Sequence, residues 1–240
     1  MQATDRRQRF RSYLSSPQCI QPASVFDAVS ARIADVLGFE IGILAGSVAS
    51  AVTLAVPDMT MLTLTELADL AHRITRASDL SLIVDADHGY GNALNVMRTI
   101  EELEAAEVSA LTIEDTMLPV SFAQSGTTQF LSIPEMLGKI YAAQKARKDS
   151  SLVIIGRTGS IPSEGLTAGV TRVKAYAEAG VDAIFLTGIN SIQELEVVHS
   201  STELPLILGN PPSALTDPNT LSKLGVRVVI KGHLTLQVAL

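Results

Sequence analysis

The chain has 240 residues, of which 47% are hydrophobic, 18% charged and 4% aromatic, with no tryptophan and a formal net charge of −7. That length accommodates one large α/β domain, 1–240, whose core must be built from Ala, Val, Ile and Leu, as in parallel strands covered by helices on both faces. The acidic balance argues against a general nucleic-acid or anionic-membrane surface, and no apolar run reaches the ~18 residues of a membrane span. Cys19 is the single cysteine, which excludes an internal disulfide or a cysteine-based zinc cluster and fits a reducing, cytoplasmic compartment.

The N-terminal stretch carries Arg6, Arg7, Arg9 and Arg11 without an apolar core segment, so it reads as a basic first helix rather than a secretory signal, with a transit peptide as the alternative. Short apolar runs then recur at 23–26, 41–45, 82–86, 110–115, 152–157, 183–188, 205–209 and 227–232. Helical patterns separate them at 28–37, 65–78, 94–107, 132–148, 166–179, 191–200 and 216–224. Leu37-Gly38, Ala179-Gly180 and Leu224-Gly225 mark helix ends where glycine takes the left-handed conformation. Alternation of strand and helix predicts a parallel sheet, and eight units in this length predict a (β/α)8 TIM barrel, with an open doubly wound sheet as the rival. The eighth helix is expected to be missing, truncated or exchanged with a partner subunit, since few residues follow His233.

In a barrel, chemistry gathers at the C-terminal strand ends. Those ends carry Asp27, Ala45-Gly46-Ser47, Asp85 and Asp87 with His88, Glu114 with Asp115, Arg157, Thr187, Asn210, and Lys231 with His233. Asp85, Asp87 and Glu114 would repel one another at one mouth unless a cation were present, and hard oxygen ligands select Mg²⁺ or Mn²⁺ over Zn²⁺. The plainer alternative has these acids cap the following helices, and Asp115 fits it best. Arg157 ends a buried strand and needs an anion, either a substrate carboxylate or a structural partner. Ser47 sits where backbone N–H groups can approach an anion. His233 either meets substrate or is a hydrogen-bonded structural histidine, and His88 is equally open.

The stretch DADHGYGNALNVMRTIEELEAAEVSALTIEDTMLP (85–119) resembles the isocitrate lyase and phosphoenolpyruvate mutase superfamily. SVFDAVSARIADVLGFEIGILAGSVAS (24–50), GRT (156–158) and GVRVVIKGH (225–233) extend the likeness over nearly the whole chain. Within that superfamily the pattern is most similar to the oxaloacetate decarboxylase group. The resemblance implies Mg²⁺ held by Asp85, with Asp87 and Glu114 reaching it directly or through water. It implies binding of a small 2-oxo or 2-hydroxy dicarboxylic acid by Ala45, Gly46, Ser47, Asp58, Arg157 and His233, with Ser47, Arg157 and His233 taking part in an enolate-forming lyase reaction. It also implies a homodimer or homotetramer with the eighth helix exchanged, and a loop, 117–131, that closes over the site.

Subclass follows from absences. Isocitrate-type lyases carry a catalytic cysteine in a Lys-Lys/Arg-Cys-Gly-His loop near strand 4, whereas Cys19 here precedes the first strand; phosphonomutases have a lysine after the Glu-Asp pair, whereas Thr116 stands here. Two positions depart from the decarboxylase pattern. Leu208 stands where an aromatic precedes Gly-Asn-Pro, and Gly159 stands where an asparagine follows the Arg-Thr pair. These leave two rivals: another C–C or C–P bond reaction of the same superfamily, and a non-catalytic barrel used as a binding module.

Overall fold

The computed structural model describes residues 1–122, 126 and 128–240. After α1 (Ala3–Ser15) the chain runs β1 (Ala23–Ser24), α2 (Ala28–Val36), β2 (Ile41–Leu44), α3 (Gly46–Leu54), α4 (Leu64–Ala77), β3 (Ser81–Asp85) and α5 (Ala93–Ala105). It continues through β4 (Ala110–Glu114), α6 (Ile133–Ala146), β5 (Val153–Thr158), α7 (Ile161–Glu164), α8 (Leu166–Glu178) and β6 (Ala183–Thr187). The last elements are α9 (Ile192–His199), β7 (Leu206–Gly209), α10 (Pro218–Lys223), β8 (Val226–Ile230) and α11 (Leu234–Ala239). The eight strands pair in sequence order and in parallel. At the seam β8 meets the start of the chain through a bridge between Ile20 and Val228. The (β/α)8 reading therefore holds, and the open-sheet rival does not.

Local chemistry sets the elements. Thr63 and Glu66 form a reciprocal capping box that starts α4, and Leu67, Ala68, Ala71 and Ile74 bury one face of it. Ser132 caps α6, with Pro134 in its first turn. Gly38, Gly180 and Gly225 all have positive φ at the ends of α2, α8 and α10, as the sequence pattern required.

Strand alternation divides the core in two. Leu44, Leu82, Val84, Leu111, Ile154, Ile184, Leu206 and Leu208 face outward and pack under the helices. Ile43, Ile83, Ala110, Ile155, Phe185, Ile207 and Ile230 face inward and fill the barrel, where Phe10 and Leu14 of α1 join them from the N-terminal end. The same parity carried on along each strand puts Asp85, Glu114, Arg157 and Thr187 inside the barrel at its C-terminal mouth.

The basic N-terminal stretch forms the helix that closes the barrel base. Arg7 donates to the Val108 and Glu104 carbonyls and to Asp149. Arg11 donates to the Ser151 and Leu152 carbonyls and to Asp182. At the other end α11 has six residues, none of them buried. No helix among the described residues is long and apolar enough to cross a membrane.

Candidate active site at the barrel mouth

Arg157 is the hub. Its Nη1 lies 2.6 Å from Asp85 Oδ2, and its Nε lies 3.0 Å from Glu114 Oε2. The guanidinium also stacks over the Phe185 ring, 5.3 Å from the ring centre. Thr112, inward-facing on β4, donates to Asp85 Oδ1 at 2.7 Å. One carboxylate is thus held by two donors from the two strands beyond it.

Asp87 is presented differently. It follows β3 with φ +45, in the left-handed region that Asp tolerates better than most residues. Its carboxylate lies against the start of α3, so close that a Cβ on Gly46 would stand 2.7 Å from Oδ1. Gly46 is therefore required by a close approach, and Ser47 sits in the first turn of α3, where backbone N–H groups have no intrahelical partner.

The charges do not balance. Asp58, Asp85, Asp87 and Glu114 act on one another across the mouth with Arg157 as the cation among them. Burial works to raise Asp85, but the Arg157 charge and the Thr112 hydrogen bond outweigh it and hold Asp85 below the usual carboxylate range. Burial, then the Asp85, Asp58 and Glu114 charges, pushes Asp87 up to about 8. Burial pushes Glu114 up to about 7 against the pull of Arg157, and Asp85 adds to the rise. Partial burial and Asp85 raise Asp58 as well, although the residue lies at the exposed rim. Arg157 is correspondingly driven more basic by Asp85 and Glu114 despite its burial.

His233 stands just beyond β8, with Nδ1 2.9 Å from Ser24 Oγ. Burial lowers its pKa, while the Asp85 charge acts in the opposite direction.

Asp85, Asp87, Glu114, Arg157, Gly46 and His233 are brought to one mouth, with Asp58 at the rim. Among the described residues, however, no three His, Cys, Asp or Glu side chains converge closely enough to enclose a metal ion. The reason is Arg157, whose guanidinium stands between Asp85 and Glu114. The donor set is still hard oxygen with surplus negative charge, which fits a Mg²⁺ ion that keeps several of its waters.

Asp115, His88, Leu208 and Gly159 are placed as follows. Asp115 caps no helix: it faces outward, fully buried, accepting from Tyr176 at 2.6 Å and from Arg172 at 3.3 Å. His88 lines a separate pocket with Tyr90, Asn95 and Pro119; its carbonyl accepts from buried Lys139 at 2.8 Å, and burial together with Lys139 takes its ring down to about 4. Leu208 is 1% exposed and packs in the outer core, so no side chain there reaches substrate. Its neighbour Gly209 faces inward instead, against Phe185 and Thr187. Gly159 does lie at the mouth, and a Cβ there would meet Thr187 Oγ1 at 2.6 Å. Ser24, Thr112 and Phe185 were missed; Thr112 and Phe185 share strand parity with Glu114 and Thr187, which was the available signal.

In the loop 117–131, residues 123–125 and 127 lie outside the described residues. Its ends are pinned by Met117 N–H to the Gln129 carbonyl and by Leu131 N–H to the Asp115 carbonyl.

A model of the phosphoenolpyruvate phosphomutase family matches residues 10–240. Oxaloacetate decarboxylase of Bradyrhizobium diazoefficiens is 50% identical over 234 residues, covering 98% of this chain and 81% of that protein. A solved structure of oxaloacetate acetylhydrolase in complex with the inhibitor 3,3-difluorooxalacetate matches with a TM-score of 0.89 at 26% identity, covering 98% of this chain and 83% of that one. Phosphonopyruvate hydrolase in complex with oxalate and Mg²⁺ matches with a TM-score of 0.86 at 29% identity, covering 100% and 83%.

Proposed function

Because this chain belongs to the phosphoenolpyruvate phosphomutase family, we propose that its barrel mouth is the active site of a cytoplasmic, magnesium-dependent carbon–carbon lyase acting on a small 2-oxo dicarboxylic acid, with oxaloacetate going to pyruvate and CO₂. The observation that carries this reading is the Arg157 guanidinium, fixed between Asp85 and Glu114 in a mouth where carboxylates outnumber cations. The half-identity to an oxaloacetate decarboxylase over nearly the whole chain supports the substrate.

In this reading Arg157 binds a substrate carboxylate through the edge of its fork that Asp85 and Glu114 leave free. Ser47 and the first-turn N–H groups of α3 meet the same end of the substrate. The reaction breaks the bond to the distal carboxylate, and its electron pair passes through the adjacent carbons onto the keto oxygen. Protonation of the resulting enolate carbon gives pyruvate. His233 donates a hydrogen bond to the substrate and steadies the charge that develops there. The residues that would hold Mg²⁺ are Asp85 and Asp87, with Glu114 through water, and the ion when bound supplies a Lewis acid for the keto oxygen. The loop 117–131 would exclude water from the closed site.

The test is loss of oxaloacetate with Mg²⁺ and with EDTA, corrected for the spontaneous reaction in the same buffer. Metal-dependent release of pyruvate supports the reading. No turnover, with Mg²⁺ and oxalate also failing to raise the melting temperature, overturns it. Binding of oxalate with oxaloacetate left intact points to another C–C or C–P cleavage, a second reading favoured at Gly159, where Thr187 Oγ1 takes the space an amide side chain would need.

The proposal extends to assembly as a homodimer or homotetramer. An apolar groove of about 600 Å³ runs between α2 and α11, lined by Val29, Ile33, Leu37, Phe39, Leu234 and Val238. Leu234, Val238 and Leu240 are themselves exposed. Groove and unpartnered apolar helix lie side by side, so two copies related by a two-fold axis can each bury the other's helix. Light scattering on the purified chain should give a multiple of the 25.4 kDa monomer; a monomer at micromolar concentration rejects this assembly.

A further inference from the structure

The seam between β8 and β1 is the weakest join in the sheet. β1 has two residues, and pairing to β8 is reduced to the bridge at Ile20, toward the barrel base. Toward the mouth, two side-chain contacts replace strand pairing. Ser24 Oγ meets His233 Nδ1 at 2.9 Å, and Thr235 Oγ1 donates to the Ser24 carbonyl at 2.8 Å. Ser24 is the last residue of β1, and its neighbour Val25 lies in the outer core, so strand parity turns the Ser24 side chain into the mouth.

The Ser24–His233 contact fixes more than position. A neutral imidazole has one N–H and one lone pair, and the bond made by one nitrogen decides the role of the other. Nδ1 is engaged by Ser24, so the chemistry at the mouth falls to Nε2. A serine hydroxyl can donate or accept, and the field chooses between the two. The mouth holds Asp58, Asp85, Asp87 and Glu114 against Arg157, and Asp85 acts on His233 directly. A ring dipole in a negative field points its N–H toward the charge, which selects Nε2–H.

We propose that Ser24 is a positioning residue whose hydroxyl donates to His233 Nδ1 and locks the ring as the neutral Nε2–H tautomer that faces substrate. Thr235 supports the arrangement by holding the Ser24 backbone. The role of the ring as substrate donor rests on the lyase reading above; the tautomer does not. Burial, which lowers the basicity of His233, keeps the ring neutral and so makes the tautomer matter.

The experiment is long-range ¹H–¹⁵N correlation on the full chain labelled at histidine, with His233 assigned by the missing signal in His233→Gln. The wild-type protein should show Nε2 protonated and Nδ1 with a lone pair. Ser24→Ala should shift the ring to a tautomer mixture, and Ser24→Thr should restore it. Oxaloacetate turnover, measured in parallel, should fall about tenfold in kcat for Ser24→Ala, the loss of one hydrogen bond, with KM changed less. Nδ1–H in the wild-type protein overturns the proposal without any variant, and so does a Ser24→Ala ring with an unaltered tautomer. If the tautomer behaves as stated but wild-type protein turns over no keto acid, the lyase reading fails and the positioning role of Ser24 stands.

Discussion

The two ends of this barrel use the same residue types to opposite effect. At the base, α1 lays Arg6, Arg7, Arg9 and Arg11 against strand ends, and each finds an acceptor. Arg7 alone takes two carbonyls and a carboxylate, and Arg6 takes Glu107 at 2.6 Å. At the mouth one arginine faces four acids, and two of those are pushed up to about 7 and 8. Charge at the base is matched and holds the fold; charge at the mouth is left in excess, an arrangement that costs stability and that the proposed cation and substrate would relieve. The ends teach that an arginine's meaning is set by the count of acids around it.

Breaking the mouth should give the largest effect. Arg157→Met keeps the volume but removes the substrate fork and leaves Asp85 and Glu114 unpaired. Activity toward oxaloacetate should fall on the order of 10³-fold, the scale of a lost transition-state donor plus lost binding. Asp85→Asn should do the same while abolishing the melting-temperature gain from Mg²⁺. An Asp85→Asn protein that keeps both would remove the metal from this end of the barrel.

Breaking the base should cost stability instead. Arg7 is 4% exposed and its side chain makes three hydrogen bonds. Arg7→Ala should lower unfolding free energy by about 2–4 kcal/mol, since buried carbonyls and Asp149 lose their donor. Urea unfolding reads the loss, and kcat of the folded fraction should stay within twofold. A change in kcat matching that of Arg157→Met would mean the two ends are not separable.

The boundary between these ends was largely legible in the chain. The eight strand runs and seven helical patterns fall within a few residues of the observed elements, because periodicity, Gly at helix ends and capping residues are local signals. The mouth was legible as a set of strand ends. Two things were not. Side-chain direction needs each strand's parity anchored, and the apolar flanks of β7 look alike on both faces, so the sequence does not show that Leu208 packs under helices. Pairing across the seam needs closure of the whole barrel: Ser24 and His233 are 209 positions apart, and no local pattern links them. The insertion of Arg157 between Asp85 and Glu114 is hidden for the same reason.

Leu208 offers a smaller test of where the mouth begins. Leu208→Tyr would restore an aromatic at this position, but into the outer core. It should cost about 1–3 kcal/mol by overpacking and leave the substrate preference between oxaloacetate and phosphonopyruvate unchanged. A switch in that preference would show that this position communicates with the mouth after all.

The smallest expected effect is also the one that separates the ends by sign. Asp149 at the base is held below the usual carboxylate range: its partial burial opposes this, but hydrogen bonds from Ser151 and Arg7 prevail. It stabilises the fold above the unfolded-state pKa, and that contribution is lost as the pH falls through the lower folded value. Asp87 and Glu114 are raised, so the folded chain holds their protons more tightly than the unfolded chain does. Their contribution is full near pH 4 and is lost as the pH rises toward about 7 and 8. Between pH 5 and pH 8 the metal-free protein should therefore lose stability, seen as a melting temperature lower by a few degrees, at about 2–4 °C per kcal/mol for a chain of this size. Asp87→Asn should flatten that slope and raise the melting temperature at pH 8 while removing activity. Mg²⁺ should flatten it too, because a cation favours the ionised acids. A wild-type melting temperature that rises from pH 5 to pH 8 without metal would mean the mouth is already neutralised, and that its charge is matched as fully as the charge at the base.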